Sequence, residues 1–142
     1  LGKPVKFDTV FIDAPCSGTG TMRRHPEIPW RLTEKDVTVE LPELQLTMLK
    51  EAAARVAAGG ELIYATCSVF DEETQVVDAI LASPEGAGLL GTLSEAQILQ
   101  LPEFEQAKKL VSVRQNDRGL FQSVPVNADS YDGHFCARLV HK

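Results

Sequence analysis

The stretch Phe7-Asp-Thr-Val-Phe-Ile-Asp-Ala-Pro-Cys-Ser-Gly-Thr-Gly-Thr-Met22 decides how this chain is read. Val10, Phe11 and Ile12 form a short apolar run bounded by turn residues, the pattern of a strand buried on both faces of a parallel sheet. The run stops at Asp13, Pro15 forbids a simple continuation, and Gly18 and Gly20 allow tight or positive-φ backbone. In open α/β sheets ligands bind outside the carboxyl ends of the strands, so a polar cluster right after such a strand marks the expected site. Glu61-Leu-Ile-Tyr-Ala-Thr-Cys-Ser68 repeats the arrangement, an apolar run that ends in a cysteine.

Between the two runs, Arg23, Arg24 and His25, with Arg31 nearby, make the densest basic patch in the chain. Bracketed by Pro26 and Pro29, this segment reads as a loop over the strand ends, either solvated or in contact with phosphate. Thr33 suits a helix N-cap with acids in the first turn, and Pro42 predicts a break or a new first turn. Leu41, Leu44, Gln45, Met48, Leu49, Ala52 and Val56 recur at helical spacing, with Gly59-Gly60 as the expected stop. A second strand over 62–65 completes a strand, helix, strand order, which places the two strands parallel and brings Asp13, Cys16 and Cys67 to one edge.

Downstream, Ser68 or Asp71 is expected to cap a helix to about Leu81, with Glu72 and Glu73 in its first turn and Val76, Val77, Ile80 and Leu81 facing the core. Residues 83–91 read as a flexible connection, and residues 94–100 as a short helix ended by Pro102. From Leu110 the texture turns to β. Residues 120–126 and 134–140 alternate, and the 127–133 turn between them predicts an antiparallel pair. The sheet is expected to be mostly parallel, with that pair at its end.

A chain of 142 residues is one domain in size and long enough to bury a core. It starts at Leu1 and enters a strand within about six residues, which reads as a processed chain or a piece of a larger protein. No apolar run approaches the ~20 residues of a membrane span, and no signal-peptide pattern is present, so a soluble, cytoplasmic protein is expected. Cys16, Cys67 and Cys136 cannot all pair, and none has another within four positions. That argues against a zinc ribbon and a disulfide scaffold, and for free thiols in a reducing compartment. Cys136, in the alternating terminal strand, reads as structural. A net charge of -6 argues against a strongly basic nucleic-acid binder, so any grip on nucleic acid must be local or come from elsewhere.

The glycines carry no nucleotide motif. Gly18-Thr-Gly20 is followed by Arg23 where a dinucleotide fingerprint wants a third glycine, and no Gly-Lys-Ser/Thr follows. A phosphatase-like loop needs five residues between Cys and Arg, whereas Cys16 and Arg23 have six.

Asp13-Ala-Pro-Cys16-Ser-Gly-Thr-Gly20, followed 51 positions after Cys16 by Tyr64-Ala-Thr-Cys67-Ser68, resembles the RsmB/RsmF and Nop/Sun family of RNA cytosine-C5 methyltransferases. Asp132-Gly-His-Phe-Cys-Ala-Arg-Leu139 is similar to that family's closing strand motif, and its Gly-His-Phe form leans toward the RsmF-like branch. His25-Pro-Glu-Ile-Pro-Trp30 resembles the segment after its first motif, and Arg118 and Pro125 sit where the family has an Arg and a Pro.

The resemblance implies a Rossmann-like α/β fold that uses S-adenosylmethionine and acts on RNA, either rRNA or tRNA, with no metal. Residues 1–142 would be the C-terminal half of the catalytic domain, with parallel strands, helices and a closing antiparallel pair, and without the Gly-rich cofactor loop and the RNA-binding extension. It makes Cys67 the nucleophile that attacks carbon 6 of cytosine, in covalent catalysis that divides one hard step into two. Cys16 assists proton removal at carbon 5 and enzyme release, and Asp13 contacts cofactor or base; Pro15 and Arg23 are further substrate-side candidates. A thiolate near Arg23 or Arg24 would have its charged form favoured, and the base must leave its stack to enter such a pocket. On this reading the chain alone does not methylate RNA. Two other readings remain open: exchanged cysteine roles, as in DNA cytosine methyltransferases, and a non-catalytic remnant that binds RNA or a partner.

Overall fold

The computed structural model describes residues 5–91, 112–115, 120–124 and 132–142. Strand β1 (Phe7–Asp13) lies parallel to β2 (Val56–Thr66), in register from Thr9 opposite Glu61 to Asp13 opposite Ala65. On the other side of β2 runs β6 (His134–His141), antiparallel from Glu61 opposite Val140 to Thr66 opposite Phe135. The far flank of β6 is shared. β5 (Leu120–Val124) pairs with its first half and β3 (Leu89–Gly91) with its last, and β4 (Ser112–Gln115) lies beyond β5.

The expected antiparallel pairing of β5 with β6 is present, but the sheet is not mostly parallel. Among the described residues β1 and β2 form the one parallel pair, and the other four pairings are antiparallel. The reason is connection chemistry: parallel neighbours need a long crossover, and among the described residues it is the helix between β1 and β2 that supplies one to a hydrogen-bonded strand pair. β6 therefore lies in the middle of the sheet. Phe135, Ala137 and Leu139 are buried on its covered face.

That face is covered by α2 (Leu41–Ala53) and α4 (Val76–Ala82). Leu49, Ala52, Ala53, Val76, Val77 and Ile80 pack there against Ile12, Leu62, Tyr64 and the β6 side chains. The rings of Tyr64 and Phe135 meet edge to face at 6.1 Å. The expectation that β1 is buried on both faces is overturned among the described residues: Ile12 is buried, while Phe11, pointing the other way, is 62% exposed.

Pro42 sits in the first turn of α2, the new first turn expected there, and the helical backbone ahead of it is not interrupted. Thr33 Oγ1 accepts the Asp36 N–H (3.2 Å) and Asp36 Oδ2 accepts the Thr33 N–H (2.8 Å), a reciprocal cap that starts the helix as Thr33 predicted. Helical backbone then continues from residue 34 into α2, with Asp36–Glu40 widened into a π-helix just ahead of the proline. Widening the turn relieves both the missing N–H of Pro42 and the clash of its ring with the carbonyl one turn back. The buried stripe of α2 is Gln45, Leu49, Ala52 and Ala53, while Leu44 is 47% exposed.

The helix ends at Ala53, not at Gly59-Gly60, which lie inside β2. There the register slips between Phe7 opposite Val56 and Thr9 opposite Glu61; Gly59 takes φ 78°, and Gly60 passes so close to Asp8 that a Cβ would sit 2.7 Å from its carbonyl oxygen. The helix after β2 is also divided, into α3 (Asp71–Thr74) and α4, with Gln75 between. Neither Ser68 nor Asp71 is its N-cap; Phe70 is, with no polar side-chain atom to cap with, while Ser68 Oγ accepts the Phe70 N–H at 3.1 Å. Residues 83–91 are ordered: Ser83 Oγ accepts the Gly86 N–H at 3.2 Å, a 3-10 turn follows, and β3 joins the sheet. The helix expected over 94–100, Pro102, Arg118, Pro125 and most of the 127–133 turn lie outside the described residues. Among the described residues no helix is long and apolar enough to cross a membrane.

Candidate active site

The parallel register of β1 and β2 brings the two cysteine loops to one edge. Ala14 N–H still bonds the Ala65 carbonyl (2.9 Å), and just past that point Cys16 Sγ lies 3.4 Å from Cys67 Sγ. Both thiols are free and partly buried. Burial pushes the Cys16 thiol up to about 12, and its hydrogen bond to Cys67 adds to that; the backbone amides of Gly18 and Cys67 pull weakly the other way. Cys16 is therefore a thiol at neutral pH. Cys136, opposite Ala65 on β6, is also raised by burial.

Beneath the thiols lies a buried polar network that the sequence reading did not find. The Glu73 carboxylate is fully buried and accepts the Ser17 N–H at 3.0 Å, the Ser68 hydroxyl at 2.5 Å and the Gln45 side-chain N–H at 2.7 Å. Gln45 Nε2 also donates to the Pro15 carbonyl (2.9 Å), and Ser17 Oγ donates to Ser68 Oγ (3.0 Å). Thr19 Oγ1 accepts the Val69 N–H at 3.1 Å. The Tyr64 hydroxyl, its pKa raised by burial, donates to the Glu73 backbone carbonyl at 3.1 Å. In the sequence Glu73 is a first-turn acid and Gln45 one member of an apolar stripe. The available signal was periodicity: Glu73 shares the helical stripe of Val76, Val77 and Ile80.

Gly20 stitches the edge shut. Its N–H bonds the Cys67 carbonyl (2.9 Å) and its carbonyl accepts the Gly133 N–H (2.8 Å). Gly18, at φ 71°, makes the turn that lets the chain arrive there.

Asp13 is exposed at the carboxyl end of β1, on the same edge as the cysteines. The basic segment that follows is not all loop, since α1 (Ile28–Arg31) forms within it. Arg23 and Arg24 turn toward Asp132: Arg24 Nε and Nη2 lie 2.7 and 2.5 Å from Asp132 Oδ2, and Arg23 Nη2 lies 3.9 Å from Oδ1. The hydrogen bond from Arg24 holds Asp132 below the usual carboxylate range; in return Asp132 keeps Arg24 charged, with only a minor contribution from Cys67. The structure thus brings Cys16, Cys67 and Asp13 together and engages Arg23 and Arg24 with a carboxylate from the other end of the chain. Met22, Pro29, Leu32, Val37 and Phe70 line a groove of about 340 Å³ that reaches Thr19.

Residues 1–140 match the family model described as 16S rRNA methyltransferase RsmB/F. Ribosomal RNA small subunit methyltransferase B of Salmonella arizonae is 36% identical over 138 residues, which cover 96% of this chain and 27% of that protein. Its counterpart in Citrobacter koseri is 43% identical over 104 residues, 71% of this chain and 24% of the relative. The crystal structure of PH0851 superposes with a TM-score of 0.70 at 32% identity, over 93% of this chain and 26% of that one. NSun6 from Pyrococcus horikoshii, solved with SFG, gives 0.70 at 19% identity over 96% of this chain and 30% of its own, a likeness of fold. The chain spans about a quarter of the length of the curated relatives it matches.

Proposed function

The chain belongs to the RsmB/F family of 16S rRNA methyltransferases, and from that premise we propose that it is the cysteine-bearing part of an enzyme that methylates carbon 5 of a cytosine in RNA, rRNA first and tRNA second. The observation that carries the reading is the Cys16–Cys67 pair, 3.4 Å apart at the carboxyl ends of two neighbouring parallel strands.

Carbon 6 of cytosine is a poor electrophile, so its attack calls for a soft, strong nucleophile. Cys67 takes that role: its thiolate bonds to carbon 6, and carbon 5 gains the electron density it needs to accept a methyl group. S-adenosylmethionine, when bound, supplies that methyl group in electrophilic form. Loss of the proton from carbon 5 then breaks the bond between sulfur and carbon 6 and frees Cys67. Cys16 handles the proton. A thiol pushed up to about 12 is a poor nucleophile at neutral pH, yet it gives its proton to the Cys67 sulfur as that sulfur leaves, and the Cys16 thiolate so formed takes the proton from carbon 5, which returns both cysteines to thiols. Asp13 fits one corner of a cofactor or base site, since its carboxylate stands open at the same strand edge. Pro15 and Arg23 complete the substrate side, and the RNA target and free thiols suit work in the cytoplasm.

Alanine variants of the full-length enzyme, assayed for a covalent RNA adduct on a denaturing gel, test the allocation. Cys67→Ala should abolish the adduct and lower turnover by roughly 10³-fold or more, whereas Cys16→Ala should retain or accumulate it. The reverse pattern assigns the attack to Cys16. The 142-residue chain alone is proposed to be inactive, and turnover by it would refute that.

A further inference from the structure

We propose that Glu73 is a positioning residue whose buried carboxylate holds the two cysteine loops in register and so sets the Cys16–Cys67 separation; its catalytic meaning rests on the reading above. Each cysteine is followed by a serine that bonds this carboxylate, Ser17 through its N–H and Ser68 through its hydroxyl. Gln45 binds the same carboxylate and the carbonyl of Pro15, so Cys16 is gripped on both sides. Glu73 itself stands on α3, after the second loop, and Ser17 lies 56 positions before it. One side chain therefore joins the carboxyl ends of both strands.

Stability alone does not explain the arrangement. A fully buried carboxylate loses its hydration, and a well-packed apolar replacement is often neutral or stabilising. Among the described residues Gln45 Oε1 is buried without a hydrogen-bond partner, while both amide hydrogens are committed to Glu73 and Pro15. What such a device supplies is position, and reacting groups lose rate steeply when displaced by an ångström.

Glu73→Gln tests this in the full-length protein. The substitution turns one acceptor oxygen into a donor, which faces either the Ser68 hydroxyl and the Ser17 N–H or the Ser17 N–H and the Gln45 amide. Should Gln45 flip to suit, the Pro15 carbonyl loses its donor. The direct readout is phenylarsine oxide, which condenses with two neighbouring thiols to a cyclic dithioarsenite and releases water. It needs neither RNA nor cofactor, so its result stands apart from the methyltransfer reading. Wild type should chelate the arsenical, with Cys67→Ala as the blank. A cooperatively unfolding Glu73→Gln should bind it about tenfold or more weaker. Its kcat should fall roughly 100-fold with KM for RNA unchanged. A folded variant that keeps either the wild-type chelation or the wild-type kcat overturns the proposal. If Glu73→Gln does not fold, Gln45→Met decides: it removes the bonds to Glu73 and Pro15 at similar volume, so chelation and kcat should both fall, and wild-type values for either overturn the proposal.

Discussion

Two segments leave the carboxyl edge of the sheet, and they are held by opposite means. The cysteine edge, residues 13–20 with 66–73, is fixed by buried bonds to one carboxylate and by a glycine stitched to two backbones. The basic segment that follows, residues 23–31, is tied by half-exposed guanidinium groups to Asp132 and presents Trp30 to solvent at 89% exposure. Hydrogen bonds to a buried charge contribute about 1.5–3 kcal/mol each, whereas surface ion pairs contribute about 0–1. The difference teaches where placement matters. Burial fixes the atoms of the cysteine edge, and exposed ion pairs leave the groups of the basic segment free to adjust.

The largest blow to this contrast is Gly20→Ala. A Cβ there would lie 2.0 Å from the Gly133 carbonyl oxygen and 2.9 Å from that of Cys67, and both are backbone atoms that cannot turn aside. A loss of roughly 3 kcal/mol or more is expected in urea unfolding. Gly59→Ala is the control: among the described residues its Cβ meets nothing within 4 Å, so it should lose only about 1–2 kcal/mol from its φ of 78°. Equal losses at the two positions would mean the cysteine edge is no tighter than a surface bulge.

That edge was half legible in the sequence. The run ending at Asp13 and the run ending at Thr66 declared themselves as strands, and parallel pairing followed from the helix between them, which is why Cys16 and Cys67 could be brought together without coordinates. Glu73 was hidden because an acid in a first turn suits the helix dipole whether or not it is buried, and Gln45, placed in the packed stripe, carried no sign of the carboxylate it meets. Gly59-Gly60 misled for a related reason, since a bulge accommodates residues that local rules treat as stops. The central place of β6 was not legible at all, because alternation fixes which face a strand buries but not which strands flank it.

A middling effect is expected where the two segments meet the C-terminal strand. The Arg24 hydrogen bond depresses the Asp132 pKa, so the unfolded chain takes up that proton at higher pH than the folded one. The pair's stabilisation is then complete above the ordinary carboxylate value, about pH 4, and is lost as pH falls through the lower folded value. Arg24→Ala should therefore flatten the acid limb of stability, read as the urea midpoint between about pH 6 and pH 2. Molar salt should shrink the difference, since Arg24 is more than half exposed. An unchanged acid limb would show that Asp132 is held by its backbone surroundings and not by the arginine.

Trp30→Ala should have the smallest effect, and its smallness is the informative part. Removing the largest side chain in the chain from a packed position would lower stability by about 3–5 kcal/mol, but at 89% exposure the indole has almost no packing to lose. A change within about 0.5 kcal/mol is expected. The neighbouring groove of Met22, Pro29, Leu32, Val37 and Phe70 sharpens the point, because an indole that folded down into that apolar trough would gain burial it does not take here. Fluorescence reports the same contrast without a mutation, through an emission maximum typical of a water-exposed indole and ready quenching by acrylamide. A blue-shifted, protected tryptophan together with a loss above about 1 kcal/mol in Trp30→Ala would place the basic segment among the packed parts of the molecule, and the division between a fixed edge and a free one would fail.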